Sequence, residues 1–385
     1  MFTQNDKSQS VAAVGPLVTG NTEFALALYQ KLRTQPGNLF FSPHSISTAL
    51  AMTYAGARGR TAAQMAQVMR FHLDPPHLHA ALAHLEVTLS RIGDRGQVQL
   101  NVANALYPQQ GYPLLPDYLR LVEASYGVLI TAVDYRDAAA ARQLINAWVA
   151  EKTAQKIPDL IPPGILNNLT TLVLVNAIYF KGNWASQFAP GLTADAPFWI
   201  GPAQSVPKPL MQQTATFAYS EAENLQIVSL PYVGGDLSML LLLPRERGGL
   251  AALEESLTVA NLSRWIRRLH PREVELFLPR FKITFPIRLD ETLQAMGMTD
   301  AFGPADFSGM SVAGDFFIGA ALHKAFVEVN EEGTEAAAAT AVMMIESIPP
   351  PPTMFRADHP FLILIRENST GAVLFLGRVA NPAVG

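Results

Sequence analysis

Four consecutive prolines, Pro349 to Pro352, constrain this chain more than any other stretch. Proline lacks a backbone N–H and locks φ, so the run can neither continue a helix nor sit inside a sheet. It holds the chain extended and solvated. Upstream, Lys324-Ala325-Phe326-Val327-Glu328-Val329 partly alternates apolar and polar residues, as a strand does. Gly333 breaks whatever precedes it. A long tether, about residues 331–354, is therefore predicted between two anchored segments. Structureless loops of that length in compact domains are usually functional.

Inside the tether lies Thr334-Glu335-Ala336-Ala337-Ala338-Ala339-Thr340-Ala341, followed by Val342-Met343-Met344-Ile345-Glu346-Ser347-Ile348. Propensity alone favours a short helix over the alanines. Read as a strand, Thr334, Ala336, Ala338, Thr340, Val342 and Met344 share one face, because side chains alternate with period two. That face is small or apolar and fit for burial. Glu335 lies on the other face. The tether is thus composed so that it can enter a sheet.

The 385 residues allow two or more domains by length, and enough core to bury. No composition shift marks a linker, and hydrophobic residues at 49% argue against disorder. A loose lead-in over 1–20 and one domain over 21–385 are expected. A net charge of −4 gives no case for nucleic acid or an anionic membrane. Cysteine is absent, so disulfides and thiol chemistry play no part. Met1 to Ser10 shows no signal peptide, no run reaches membrane-spanning length, and the compartment is not inferred.

Asn21 to Leu32 has helical spacing, and Ser42-Pro43-His44-Ser45 reads as a capped helix start with proline in the first turn. A helix from Asp74 to Arg91 carries His77, His79 and His84 without metal-ligand spacing, so solvated histidines are expected. Val98 to Leu106 and Leu129 to Tyr135 read as strands, and Ala138 to Thr153 as a helix. Thr171 to Phe180 is almost continuously apolar and fits a central strand covered on both faces. Asn176 interrupts it, and a buried amide must find partners or cost about 1–3 kcal/mol. Leu225 to Leu243 reads as a hairpin, and Glu273 to Lys282 as one half-buried strand. P-loop, Rossmann, HExxH and GxSxG motifs are absent, so an enzyme, a cofactor and a metal are not expected.

Glu331-Glu332-Gly333-Thr334-Glu335-Ala336-Ala337-Ala338-Ala339-Thr340 resembles the reactive-loop hinge of the serpins, the serine protease inhibitors. His359-Pro360-Phe361-Leu362-Ile363-Leu364-Ile365-Arg366 and Phe375-Leu376-Gly377-Arg378-Val379-Ala380-Asn381-Pro382 resemble that family's closing strands. Matches recur from about Asn38 to the C-terminus.

The resemblance implies an α+β fold: a single domain with three β-sheets, eight to nine helices and an exposed reactive-centre loop. It implies a suicide substrate that traps a serine protease by inserting its cleaved loop into the main sheet. A non-inhibitory binding or chaperone-like serpin is the alternative, disfavoured because the hinge lacks proline, bulk and charges beyond Glu335. By resemblance, Ser42, Ser45, Asn176 and His323 form a shutter behind the main sheet. Trp184, in Lys181-Gly182-Asn183-Trp184, marks the breach where insertion begins. Lys156 to Ile161 is the extended return after the helix that crosses the sheet.

At the family's usual spacing the resemblance implies a scissile bond at Glu346–Ser347 counting back from Phe355 and Pro360, the placement preferred, and at Ser347–Ile348 counting forward from Gly333. The partner expected is an elastase-, chymotrypsin- or subtilisin-like protease, or a Glu-selective one. The Asp74–Arg91 helix is poor in Lys and Arg, so no heparin-like activation is expected. A monomer is expected.

Overall fold

The computed structural model describes residues 4–95, 98–128, 130–313, 316–333 and 351–384. Among them are nine α-helices: α1 Gln4–Leu32, α2 Pro43–Gly56, α3 Gly59–Met69, α4 Pro75–Gly93, α5 Pro116–Tyr126, α6 Ala138–Lys152, α7 Leu250–Ser256, α8 Val259–Arg267 and α9 Leu289–Ala295. The strands are β1 Leu39–Phe41, β2 Val98–Pro108, β3 Leu172–Gly182, β4 Ala194–Trp199, β5 Ser205–Ala222, β6 Leu225–Pro231, β7 Leu237–Pro244, β8 His270–Pro279, β9 Phe281–Arg288, β10 Ala320–Val329, β11 Thr353–Arg356, β12 Phe361–Glu367 and β13 Val373–Val379.

The four-stranded sheet runs β2-β3-β10-β9. Its central pair, β3 and β10, is parallel, and the outer pairs are antiparallel. The continuous apolar run of β3 is explained by cover on both faces. On one face, Val173, Val175, Ala177 and Tyr179 pack against Ile145 and Val149 of α6 and against Ile157, Leu160 and Ile161 of the segment after it. On the other, Ile178 and Phe180 join a core shared with the second sheet. A valine, isoleucine or phenylalanine side chain buried in this way contributes about 1.5–3 kcal/mol by leaving water.

Of the three sheets expected, one stands alone and two share β5. This 18-residue strand pairs with β4 through Ser205 to Leu210, with β8 through Leu210 to Tyr219, and with β6 through Ala218 to Ala222. The whole forms a nine-stranded sheet. The stretch expected as one strand over Glu273 to Lys282 serves both sheets. β8 ends at Pro279, and β9 starts at Phe281 in the four-stranded sheet.

Two expectations need correction. The lead-in is helical from Gln4, and Ala13, Val14 and Leu17 are buried. Gly15, Pro16 and Gly20 read locally as breakers. Packing of Ala13 and Leu17 in one core with Leu78, Leu82 and Leu85 of α4 overrides that propensity. No strand forms over the described part of Leu129 to Tyr135 either. Val133 makes one bridge to Gln109, and a 3-10 turn starts at Tyr135.

Candidate functional site

The seam between β3 and β10 holds eight consecutive register pairs, from Val173–Ala320 to Phe180–Val327. The two strands pair directly along this length, so the sheet is closed there.

A polar network crosses the seam on the α2 side. Asn104 on β2, Asn176 on β3 and His323 on β10 are successive register partners. The start of α2 meets them there. The Ser42 side chain caps the helix by accepting from Ser45 N–H at 3.1 Å, and Pro43 takes the first turn. The Ser42 backbone N–H donates to His323 Nε2 at 3.2 Å. Nδ1 therefore carries the ring proton and donates to Asn176 Oδ1. Asn176 Nδ2 donates to Ser45 Oγ at 2.6 Å, to the Ser45 carbonyl at 3.1 Å and to Asn104 Oδ1. Asn176 and His323 are both 0% exposed. Burial lowers the His323 pKa to about 3, so the ring is neutral.

The structure thus brings Ser42, Ser45, Asn176 and His323 together and adds Asn104, which the sequence reading missed. Its signal is the one that marks Asn176, an amide inside an apolar run, here Val102-Ala103-Asn104-Ala105-Leu106.

Trp184 lies elsewhere, at the end of the seam where the chain leaves β10. Its ring stacks on Tyr232 with centroids 4.7 Å apart, and Nε1 donates to the Asn330 carbonyl at 3.0 Å. Trp184 N–H donates to Glu332 O at 3.2 Å, and Phe188 N–H to Glu331 O at 3.0 Å. Gly333 has φ +64, and a Cβ there would stand 2.3 Å from the Trp184 nitrogen. Only glycine fits that turn.

Glu331 is 5% exposed. It accepts from Arg280 Nε at 2.8 Å and from Thr193 Oγ1 at 2.5 Å. Burial works to raise its pKa, but donation from Arg280 and Thr193 outweighs burial and holds the carboxyl below its usual range. An open cleft of about 720 Å³ adjoins this end, lined in part by Arg280, Lys282, Glu328 and Glu331.

The remaining hinge residues, Thr334, Glu335, Ala336, Ala337, Ala338, Ala339 and Thr340, lie outside the described residues. So do Glu346, Ser347 and Ile348. Beyond them, β11 pairs in parallel with β8, and Phe355 is fully buried. The two anchors of the tether therefore stand on different sheets.

The histidines on α4 are not all solvated. His79 is 4% exposed, its Nδ1 lies 2.5 Å from the Tyr126 hydroxyl, and burial lowers its pKa to about 4. Among the described residues, no group of three or more His, Cys, Asp or Glu is placed to hold a metal. No described helix is long and apolar enough to cross a membrane.

A family model described as "Serpin (serine protease inhibitor)" matches residues 19–382. A leukocyte elastase inhibitor of Homo sapiens is 43% identical over 379 residues, covering 95% of this chain and 99% of that one. One of Sus scrofa is 42% identical over 378 residues, with the same coverage. Among solved structures, uncleaved ovalbumin superposes with a TM-score of 0.87 at 33% identity, covering 96% of this chain and 100% of that one. Human thyroxine-binding globulin gives 0.86 at 31% identity, covering 96% and 99%.

Proposed function

The chain belongs to the serpin family, and from that premise we propose how it inhibits and which proteases it takes. It is a protease inhibitor, not an enzyme, and its partner is a serine protease. The protease attacks the tether as a substrate. Its serine Oγ bonds to the carbonyl carbon of the residue before the scissile bond, and the amine of the next residue leaves as the new N-terminus of the C-terminal peptide. The acylated hinge side then enters the β3–β10 seam as an added strand, the family's form of strand addition. The protease is carried away from its deacylating geometry. Until the cut, the closed sheet is a kinetic trap.

The observation that carries this is the seam itself. It is closed along eight pairs, and Gly333 hands the chain from its end to a run of small residues. In this proposal Ser42, Ser45, Asn176 and His323, with Asn104, hold the seam until insertion rearranges them, and Trp184 marks the entry. Thr334, Ala336, Ala338, Thr340 and Val342 form the face that becomes buried.

The scissile bond is placed at Glu346–Ser347, with Ser347–Ile348 next to it. Met343, Met344 and Ile345 are apolar baits close by. They fit elastase-, chymotrypsin- or subtilisin-like pockets, while Glu346 fits a Glu-selective one. The names of two mammalian relatives, leukocyte elastase inhibitors, favour an elastase-like target as the first to try.

Incubation with an elastase, followed by denaturing electrophoresis and mass measurement of the released peptide, tests the proposal. A denaturant-stable complex and a peptide beginning at Ser347 are expected. Complete cleavage without any complex would overturn inhibition.

A further inference from the structure

On the face of the sheet opposite the Asn176–His323 network, Tyr179 of β3 and Phe326 of β10 are register partners across the seam. Their ring centroids are 5.5 Å apart. Lys156, from the segment after α6, sets its Nζ 5.9 Å from the Tyr179 ring and 5.5 Å from the Phe326 ring. Both distances are within reach of a cation–π attraction. The same ammonium lies 4.0 Å from Glu328 Oε2 on β10, and Lys282 on β9 lies 3.4 Å from that oxygen. One side chain therefore touches both margins of the seam.

The backbone before Lys156 is bent against local preference to place it. Ala154 and Gln155 are consecutive non-glycine residues with φ +49 and +61. L-residues reach that left-handed region only with strain. Thr153 Oγ1 donates to Val149 O at 2.7 Å and accepts from Ile157 N–H at 3.2 Å, which fixes the turn. Farther on, Asp159 Oδ1 accepts from Lys324 of β10 at 2.7 Å. Asn146 of α6 pairs with the Ile161 backbone at 2.8 and 3.0 Å. The segment is tied down on both sides of Lys156.

An added strand would move β3 and β10 apart by about 4.8 Å and place its own side chains between Tyr179 and Phe326. Lys156 cannot keep both rings then. We propose that Lys156 is a clasp across the seam, a positioning residue that resists opening of the sheet until the loop is cut and limits how fast the cut loop enters. This rests on the insertion mechanism proposed above.

Lys156→Met keeps the length of the side chain and removes the charge, while Lys156→Arg keeps the charge. The full chain, its two variants and an elastase-cleaved sample of each are compared. The Met variant is expected to lose inhibitory activity at elevated temperature on the order of fivefold faster than the parent, the factor an exposed cation–π contact carries. The Arg variant should match the parent. All three cleaved forms should unfold at one midpoint, because the clasp has no counterpart once a strand is inserted. An unchanged inactivation rate in the Met variant overturns the proposal. So does an equal fall in the intact and cleaved midpoints, which marks mere structural support. Cleaved and intact parent with equal midpoints would instead remove the insertion mechanism, and the clasp with it.

Discussion

His323 tolerates full burial because it is neutral and both ring nitrogens are engaged, one by Ser42 N–H and the other by Asn176. The unfolded ring titrates near 6.5, whereas burial lowers the folded value to about 3. Below pH 6.5 the unfolded chain takes up a proton that the folded chain refuses. The stabilisation is therefore complete above pH 6.5 and falls as pH drops, by up to ~1.4 kcal/mol per pH unit. His79, lowered to about 4, acts in the same direction. Urea midpoints of the intact protein should accordingly fall between pH 7.5 and 5, before carboxylates titrate. His323→Gln should make that slope shallower and leave the His79 part. A flat profile in the parent would show that neither ring is held neutral. A second change at this scale is Thr334→Arg. A charge on the face that must be buried has to be desolvated as insertion begins. The variant should be cleaved as a substrate, with a raised stoichiometry of inhibition, and unchanged stoichiometry would take Thr334 off that face.

Among the elements, β3 and the start of α2 were legible in the sequence, and the first half of α1 was not. A continuous apolar run such as Thr171 to Phe180 states its own burial. Gly15, Pro16 and Gly20 instead mask a helix whose stability comes from α4, far along the chain. Asn104 and Lys156 were missed for a related reason. Their meaning depends on which residues register and packing bring opposite them. Leu17→Ala tests the corrected α1. It should cost about 2–5 kcal/mol in chemical unfolding, as a buried leucine does, whereas in a loose lead-in it would cost nothing measurable. The tether carries its own prediction. No Lys or Arg occurs from Gly333 through Phe355. Trypsin-like proteases need such a residue before the scissile bond, to meet an acidic pocket. They should form no denaturant-stable complex, and a rapid trypsin complex cut within this stretch would mean that another bond is presented.

At the scale of the molecule, the closed β3–β10 seam and the hinge that starts at its end are two halves of one device. The sheet has room for a strand only if eight register pairs part, and the chain holds a strand-like segment tethered at that point. In the proposed mechanism the intact form is less stable than a form with the segment inserted, and the seam contacts keep it from converting. The measurement that tests this most directly is the thermal unfolding of intact protein beside protein cleaved once in the loop. A markedly higher midpoint after cleavage is predicted, since the freed hinge segment gains a full set of backbone partners and buries its small-residue face. Equal midpoints would contradict insertion and leave a serpin that does not trap its protease.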